Sequence, residues 1–570
     1  MVILSISRTI LLCICVTLSS LGAYASDEVK TNDVHNQANL SYQILTGTDL
    51  GGAYLSYSYL SYTNLADSNL SRALVKSSLL VGTNLSRAKL RETVLSGSEL
   101  IDSKLIESDL SYADLTRAYV YQAHLNKSTL VGTVLIGTEI VDSDLSFASL
   151  TKAYLNRSKL SHVNFANSNL SRAMLISSQL LGTNLSRANL KETNLSRAEL
   201  IDSKLIESDL SYADLTRAYV YKAHLNKSTL IETALVGAEI IDSDLGFVTL
   251  CGADLRRCYI SNSTLLGANL SKANLSLAVI RSSNLSRTDL SRANLKEAKL
   301  SQINMIDSNL KGADLTGMTL EDVDLKGADL TGARLANANM NGIDMSGSYL
   351  VDANMQGARL NYANLSGSYL YNGVFTRAEL SGADLSGADL SGSDFARTRM
   401  MWADLRGANL IDANLDYSDL TGANLTGARL QRASFANTVL ERANLCQTDL
   451  KGAELNDMKF DGTYMRQADL RMNSLRGTDI MNADLSEANL QGVTLDECKL
   501  KHVNLTGADL TGANLKNVDM LDVNLAGANL MRIKCDSYTL EQIAAGSANG
   551  DINLDGAILS DDLKARIAPK

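Results

Sequence analysis

From Leu45 to Cys535, every residue whose number is divisible by five is apolar, 99 successive positions without an insertion or deletion. Most are Leu. Two residues earlier, at positions ending in 3 or 8, Ala, Ser and Thr predominate, as at Ala53, Ser58, Thr63, Ser68 and Ala73. Asp or Asn is frequent immediately before the apolar residue. A helix repeats its apolar face about every 3.6 residues and a strand every 2, so a strict period of five fits neither. One large and one small inward residue per five, with polar residues between, predicts a chain that turns a corner at every repeat. The result is a coil with flat sides.

The exceptions to Leu count the sides. Ile140, Ile240, Ile260, Ile280 and Ile480 are all multiples of twenty, as are Val120, Val220, Met340, Met400, Phe460 and Met520. Phe375, Phe395 and Phe435 leave a remainder of 15 on division by twenty, whereas Phe165, Met305, Met345 and Met465 leave 5. Positions with remainder 10 are Leu from Leu50 through Leu530. Bulkier residues at the small position also recur at twenty: Ile303, Val323 and Ile343, then Val503 and Val523, and separately Cys498 and Val518. These regularities predict an all-β solenoid of four faces and about 24–25 coils of 20 residues. At about 4.8 Å per coil the rod is about 120 Å long. Each coil buries its Leu residues only against its neighbours, and each contributes roughly 1.5–3 kcal/mol before chain entropy opposes it.

Composition changes the picture at the ends and on the surface. The first 25 residues carry Arg8, an apolar run from Ile10 to Leu18 and the small residues of Ala23-Tyr24-Ala25, which predicts an export signal cleaved after Ala25. The alternative, an N-terminal membrane anchor, has a short apolar run, and Cys13 and Cys15 precede no lipoprotein start. Residues 26–37 are expected to be a flexible leader, 38–535 the solenoid and 536–570 a cap. The mature chain has 52 basic and 63 acidic residues, a net charge of −11. That excludes a basic nucleic-acid footprint. Its five cysteines, Cys251, Cys258, Cys446, Cys498 and Cys535, lack paired spacing and are expected to be free thiols. A periplasmic or secreted location follows from the signal.

Residues 82–147 and 182–247 are near copies that share SKLIESDLSYADLTRAYVY. Their offset of one hundred is five whole coils, so face register is kept. After about residue 300 the outward pairs change from SR, SY and RE to TG, SG and KG, which predicts a change of corner geometry, with Gly admitting positive φ.

The pattern A(D/N)LXX, present as ADLSG, ANLSR, ADLTG and ANLKN, resembles the pentapeptide repeat family over about residues 38–540. The resemblance implies a right-handed quadrilateral β-helix and, for most members, no enzymatic activity. The best understood members are cytosolic dimers that mimic DNA and protect or inhibit gyrase, which makes a gyrase or topoisomerase partner the alternative function. This chain departs from them in its export signal, its greater length, its uninterrupted coils and its lack of a dense acidic face.

Candidate chemistry is sparse. His35, His124, His162, His224 and His502 lie apart, and the repetitive Asp and Asn belong to the coil, so no catalytic constellation is expected. NLS and NLT triplets are generated by the repeat itself. More informative are the outward residues that follow the multiples of twenty: Val81, Ile101, Tyr121, Val141, Leu181, Ile201, Tyr221 and Ile241, interrupted only by Ser161. They predict an exposed apolar stripe about 40 Å long, flanked by Glu99 and Asp102, Glu139 and Asp142, Glu199 and Asp202, Glu239 and Asp242. A neighbouring corner carries Arg117, Arg157, Arg197, Arg217 and Arg257. Such stripes suit a protein partner or self-association of two rods, although ladders also stabilise stacking by themselves. At the C-terminus, Thr539 and Gln542 predict a capping box for a short covering helix. Asp551, Asn553, Asp555 and Asp562 fall at positions 1, 3, 5 and 12 of a calcium loop. The same INLDGAIL segment also reads as two out-of-phase pentapeptides that cap the stack without metal. The expectation overall is an exported, non-enzymatic structural or protein-binding rod with no stable membrane span once the signal is removed.

Overall fold

A computed structural model describes residues 36–567; the predicted signal, most of the leader and the last three residues lie outside the described residues. The five-residue rule becomes a four-sided parallel β-solenoid. Bridges join residues twenty apart from Asn39↔Tyr59 to Asn514↔Lys534, and residues 36–535 therefore form 25 coils of twenty. The multiples of five from Leu45 to Leu530 are buried, and the Ala, Ser and Thr two residues earlier share the core with them.

Each of the five backbone N–H groups has a defined partner, which explains the motif. The N–H of Leu50 donates to the Asn69 carbonyl one coil on (2.7 Å), that of Asn69 to the Thr48 carbonyl one coil back (2.9 Å), and that of Arg72 to the Arg91 carbonyl (2.9 Å). The Ala73 N–H closes the corner on the Leu70 carbonyl (2.9 Å). The remaining N–H, on Ser71, donates to Asn69 Oδ1 (3.1 Å). Asp or Asn precedes Leu because its side chain supplies the acceptor that the corner would otherwise lack. Asn adds a second bond along the rod, as from Asn69 Nδ2 to Asp49 Oδ1 (2.8 Å). Most buried hydroxyls are satisfied similarly, as where Thr63 donates to the Leu40 carbonyl and Thr93 to that of Leu70, both at 2.7 Å, while those of Ser308 and Thr463 have no partner among the described residues.

The expected change of corner geometry near residue 300 does not occur. All 100 second corner residues from Gln37 to Arg532 have positive φ, and 69 of them are not Gly. Arg72 at 60°, Tyr212 at 62° and Gly342 at 67° turn alike. Gly enrichment after residue 300 relieves left-handed strain without altering the path. Side chains elsewhere offset the strain through contacts twenty residues away. Arg87 forms two bonds to Asp67 (2.7 and 2.8 Å), which hold that carboxyl below its usual range. Five aromatic corner residues lie instead over a Gly one coil on: Tyr62 over Gly82, Tyr112 over Gly132, Phe247 over Gly267, Tyr362 over Gly382 and Trp402 over Gly422.

One face differs. Its residues form twelve parallel strands from Glu99–Ile101 to Thr319–Asp324, and a five-stranded sheet from Lys459–Asp461 to Ile552–Asn553. At Ile303, Val323, Val503 and Val523 the strand runs six residues through the corner, whereas at Val163, Thr183 and Thr463 it stops after three. Ile343, of the same class, lies outside a strand.

The stack is covered at its C-terminal end by α1 (Ser537–Asn549). Its N-cap is Asp536, which accepts from the Thr539 N–H (3.0 Å), and not the predicted Thr539. Thr539 is wholly buried and its Oγ1 accepts from the Val518 N–H (3.1 Å), while Asp536 Oδ2 accepts from the Asn517 N–H (3.2 Å). Asp536 thus replaces a carbonyl of an absent next coil, and Thr539 takes the Val518 N–H that in other coils closes the corner on the preceding Leu carbonyl. Residues 551–558 then return as a final rung, with Leu525 N–H donating to Asn553 and Leu530 N–H to Ile558 (both 2.8 Å). A second helix, α2 (Asp561–Ile567), follows. Among the described residues no helix is long and apolar enough to cross a membrane.

Candidate protein-interaction face

The predicted stripe lies on the twelve-stranded face. Ile101 is in Cα register with Tyr121, Tyr121 with Val141, Val141 with Ser161 and Ser161 with Leu181, and the column continues through Ile201, Tyr221 and Ile241. Val81 precedes them one coil earlier. The residues form a half-buried ridge, because each side chain is flanked by the coils on either side; Leu181, at 40%, is the most open of them. The remaining outward column of this face holds Glu99, Tyr119, Glu139, Lys159, Gln179, Glu199, Tyr219 and Glu239.

In none of the twelve strands does Asp or Asn stand before the central residue, although Tyr59, Leu79, Arg359, Glu379, Arg399 and Val439 hold the same position and form only isolated bridges. Within the strands the chain stays extended through the following residue and presents it outward beside its neighbours. This column is legible in the sequence at positions 99, 119 and onward. Asp479 and Asp519 occupy the same position in the second sheet, where Asp479 instead pairs with Lys499 (3.2 Å).

The sheet brings the two outward columns into contact. Tyr119 and Tyr121, one from each column of a single strand, stack with ring centroids 6.1 Å apart and planes 10° apart. Tyr219 and Tyr221 repeat the arrangement at 6.1 Å and 17°. Glu99 and Glu139 flank Tyr119 on the adjacent coils; burial, then Glu139, raises the Tyr119 phenol above its usual pKa. Asp102, Asp142, Asp202 and Asp242 occupy exposed corners along the other margin. Arg117, Arg157, Arg197, Arg217 and Arg257 line the corner before the strands, with φ near 57°.

Other candidates are dispersed. His124, His162 and His224 are exposed, and His502 Nδ1 lies 2.8 Å from Asp522 Oδ2. Asp551, Asn553 and Asp555 belong to the closing rung, where Asn553 Oδ1 accepts from the Asp555 N–H (2.9 Å) and Gly556 takes φ 69°. Asp562 sits on α2. The segment thus follows its out-of-phase pentapeptide reading. Among the described residues no group of three or more His, Cys, Asp or Glu side chains is placed to hold a metal ion. Cys251, Cys258, Cys446, Cys498 and Cys535 are free. Burial pushes the Cys258 and Cys498 thiols up to about 12, so they serve as small core residues; Cys498 Sγ donates to the Leu475 carbonyl (2.7 Å) as Ser does elsewhere.

Comparison with known proteins agrees with the geometry. Pentapeptide repeats (8 copies) match residues 36–72, 83–119, 113–151, 153–191, 183–219, 328–367, 358–397, 403–442 and 428–467. The pentapeptide repeat region matches residues 253–330 and 448–530. No curated protein matches the chain. Among solved structures, QnrB1, a plasmid-mediated fluoroquinolone resistance protein, is 22% identical over 36% of this chain and 90% of its own, with a TM-score of 0.22. HetL, involved in heterocyst differentiation regulation in Nostoc sp. strain PCC 7120, is 30% identical over 48% of this chain and 90% of its own, with a TM-score of 0.13. A protein of the Arabidopsis thaliana thylakoid lumen is 31% identical over 20% of this chain and 69% of its own, with a TM-score of 0.12. With its unbroken five-residue register, its four-sided coil and matches along most of its length, the chain belongs to the pentapeptide repeat family.

Proposed function

We propose that the protein is an exported, non-enzymatic rod that holds a protein partner, in the simplest arrangement a second copy of itself, along the ridge from Val81 to Ile241. The observation that supports this reading is the ridge: seven apolar side chains on one sheet, with Val81 one coil before them, bordered by acids. A half-buried apolar column with charged margins has the make-up of an interface core and rim. No clustered acid, base and nucleophile supports catalysis.

Changing Ile101, Tyr121, Ile201 and Tyr221 together to Ser is expected to weaken association at least tenfold in sedimentation velocity, while circular dichroism stays unchanged because these side chains point out of the core. Unaltered association would refute the ridge. The export reading is checked by N-terminal sequencing of the mature chain after fractionating the native host. A chain beginning at Ser26 outside the cytoplasm is expected; an intact cytosolic chain beginning at Met1 would overturn it.

A further inference from the structure

The five-coil duplication supplies an internal comparison within one molecule. Glu99, Ile101, Asp102, Tyr119, Tyr121, Glu139 and Asp142 recur as the same residues at 199, 201, 202, 219, 221, 239 and 242, and Val141 as Ile241. The backbone at the adjoining corner is the same too: φ is 51° at both residue 122 and residue 222. The side chain there differs. In the second copy it is Lys222, whose Nζ lies over the Tyr221 ring, 5.1 Å from its centroid. Contact with Tyr221, then the charges of Asp202 and Asp242, holds that ammonium firmly protonated. In the first copy it is Gln122, which brings no charge to Tyr121. The acids bordering the first copy, Glu99, Asp102, Glu139 and Asp142, form no ion pair among the described residues.

We propose that the Tyr119–Tyr121 patch is a recognition site for a lysine side chain of a partner polypeptide, and that Lys222 fills the equivalent site of the second copy from within. The ring face attracts an ammonium through its quadrupole, and carboxylates on both sides add Coulombic attraction that salt screens. Lys222 shows that an ammonium on a flexible stem reaches this ring. The proposal rests on the ridge being a contact surface, since Tyr121 belongs to it, and it names what the partner must bring. A rod presents one open site, and a second about 24 Å further along, at five coils of 4.8 Å, is closed by its own lysine.

The test is titration calorimetry of the full chain with hexalysine at low salt. One site per chain is expected. Q122K should weaken that site at least tenfold by filling it internally. S282K, which adds the same charge at the same corner eight coils away, should not. K222Q should raise the stoichiometry from one to two. Equal effects of Q122K and S282K would reduce the binding to net charge and overturn the proposal, as would an unchanged stoichiometry in K222Q. The ridge reading fails separately. Association lost in the four-serine variant but indifferent to Q122K and K222Q would keep the ridge and refute the lysine site. Hexalysine binding that obeys Q122K and K222Q in a rod whose association survives the four serines would do the reverse.

Discussion

Gly373→Ala is expected to destabilise the coils around it by about 1–3 kcal/mol, the usual range for overpacking a filled core. Gly373 occupies the small inward position where Ala, Ser or Thr stands in most coils, and its φ is not left-handed. In this coil the Phe375 ring fills the space a Cβ would need, unlike Phe165, Phe395 and Phe435, which follow Val163, Ser393 and Ala433. A Cβ at 373 would lie 2.7 Å from the Phe375 ring and 2.9 Å from the Leu370 carbonyl oxygen. Phe375 cannot retreat, because it is fully buried and stacks on Phe395 one coil on, with centroids 4.6 Å apart and planes 11° apart. Phe375→Leu alone should cost about 1 kcal/mol or more through lost packing. In combination the two changes should cost less than their sum, with a coupling of about 1 kcal/mol or more. Hydrogen exchange resolved to the peptides spanning 355–415 reads the local free energy directly, which suits a rod whose coils contact only their neighbours. Strict additivity would show that Gly373 and Phe375 do not share the space.

Gly422→Ala should cost about 2 kcal/mol or more, from left-handed strain at φ 66° together with overpacking. A Cβ at 422 would run into the Trp402 ring, which must swing off the corner. Trp402 is the only tryptophan in the chain, so its emission should shift to the red and its quenching by acrylamide should increase. Gly427→Ala separates the two effects. Gly427 has φ 71°, and a Cβ there would meet nothing within 4 Å, so Ala should cost only about 1–2 kcal/mol of strain and leave the emission unchanged. Equal stability losses and equal spectra in the two variants would show that the aromatic-over-glycine contact does not contribute to corner stability.

The solenoid, its four faces and its twenty-residue coil were legible because a buried position with a fixed period leaves little freedom: one shifted Leu would meet water and drag its neighbours with it. The cap was legible in kind but not in detail. Thr539 resembles an N-cap in isolation, yet the coil end claims it as an inward residue, and Asp536 takes the cap. Corner geometry was not legible, because Gly abundance suggests a requirement that the corner does not have. Arg72 and Tyr212 show that the coil imposes the left-handed turn on whatever residue stands there. On the candidate face, the apolar column was visible in the sequence, but the Tyr119–Tyr121 stacking was not. Those residues point to the same side only because the strand continues past Val120, and Tyr59 and Leu79, which also lack Asp and Asn there, form only isolated bridges.

The near identity of residues 82–147 and 182–247 also bears on how the chain finds its structure. A folding chain that joins the coil ending near residue 101 directly to the one beginning near 202 keeps face register and nearly every inward side chain, and loops out a hundred residues. Loop entropy grows only logarithmically with length, so the shortcut is opposed chiefly by the stacking forfeited in five omitted coils. Folding that proceeds by addition of successive coils avoids the error, since each new coil meets its true neighbour before its duplicate. Refolding the whole chain from denaturant exposes both templates at once and is expected to populate the looped register as a slow refolding phase.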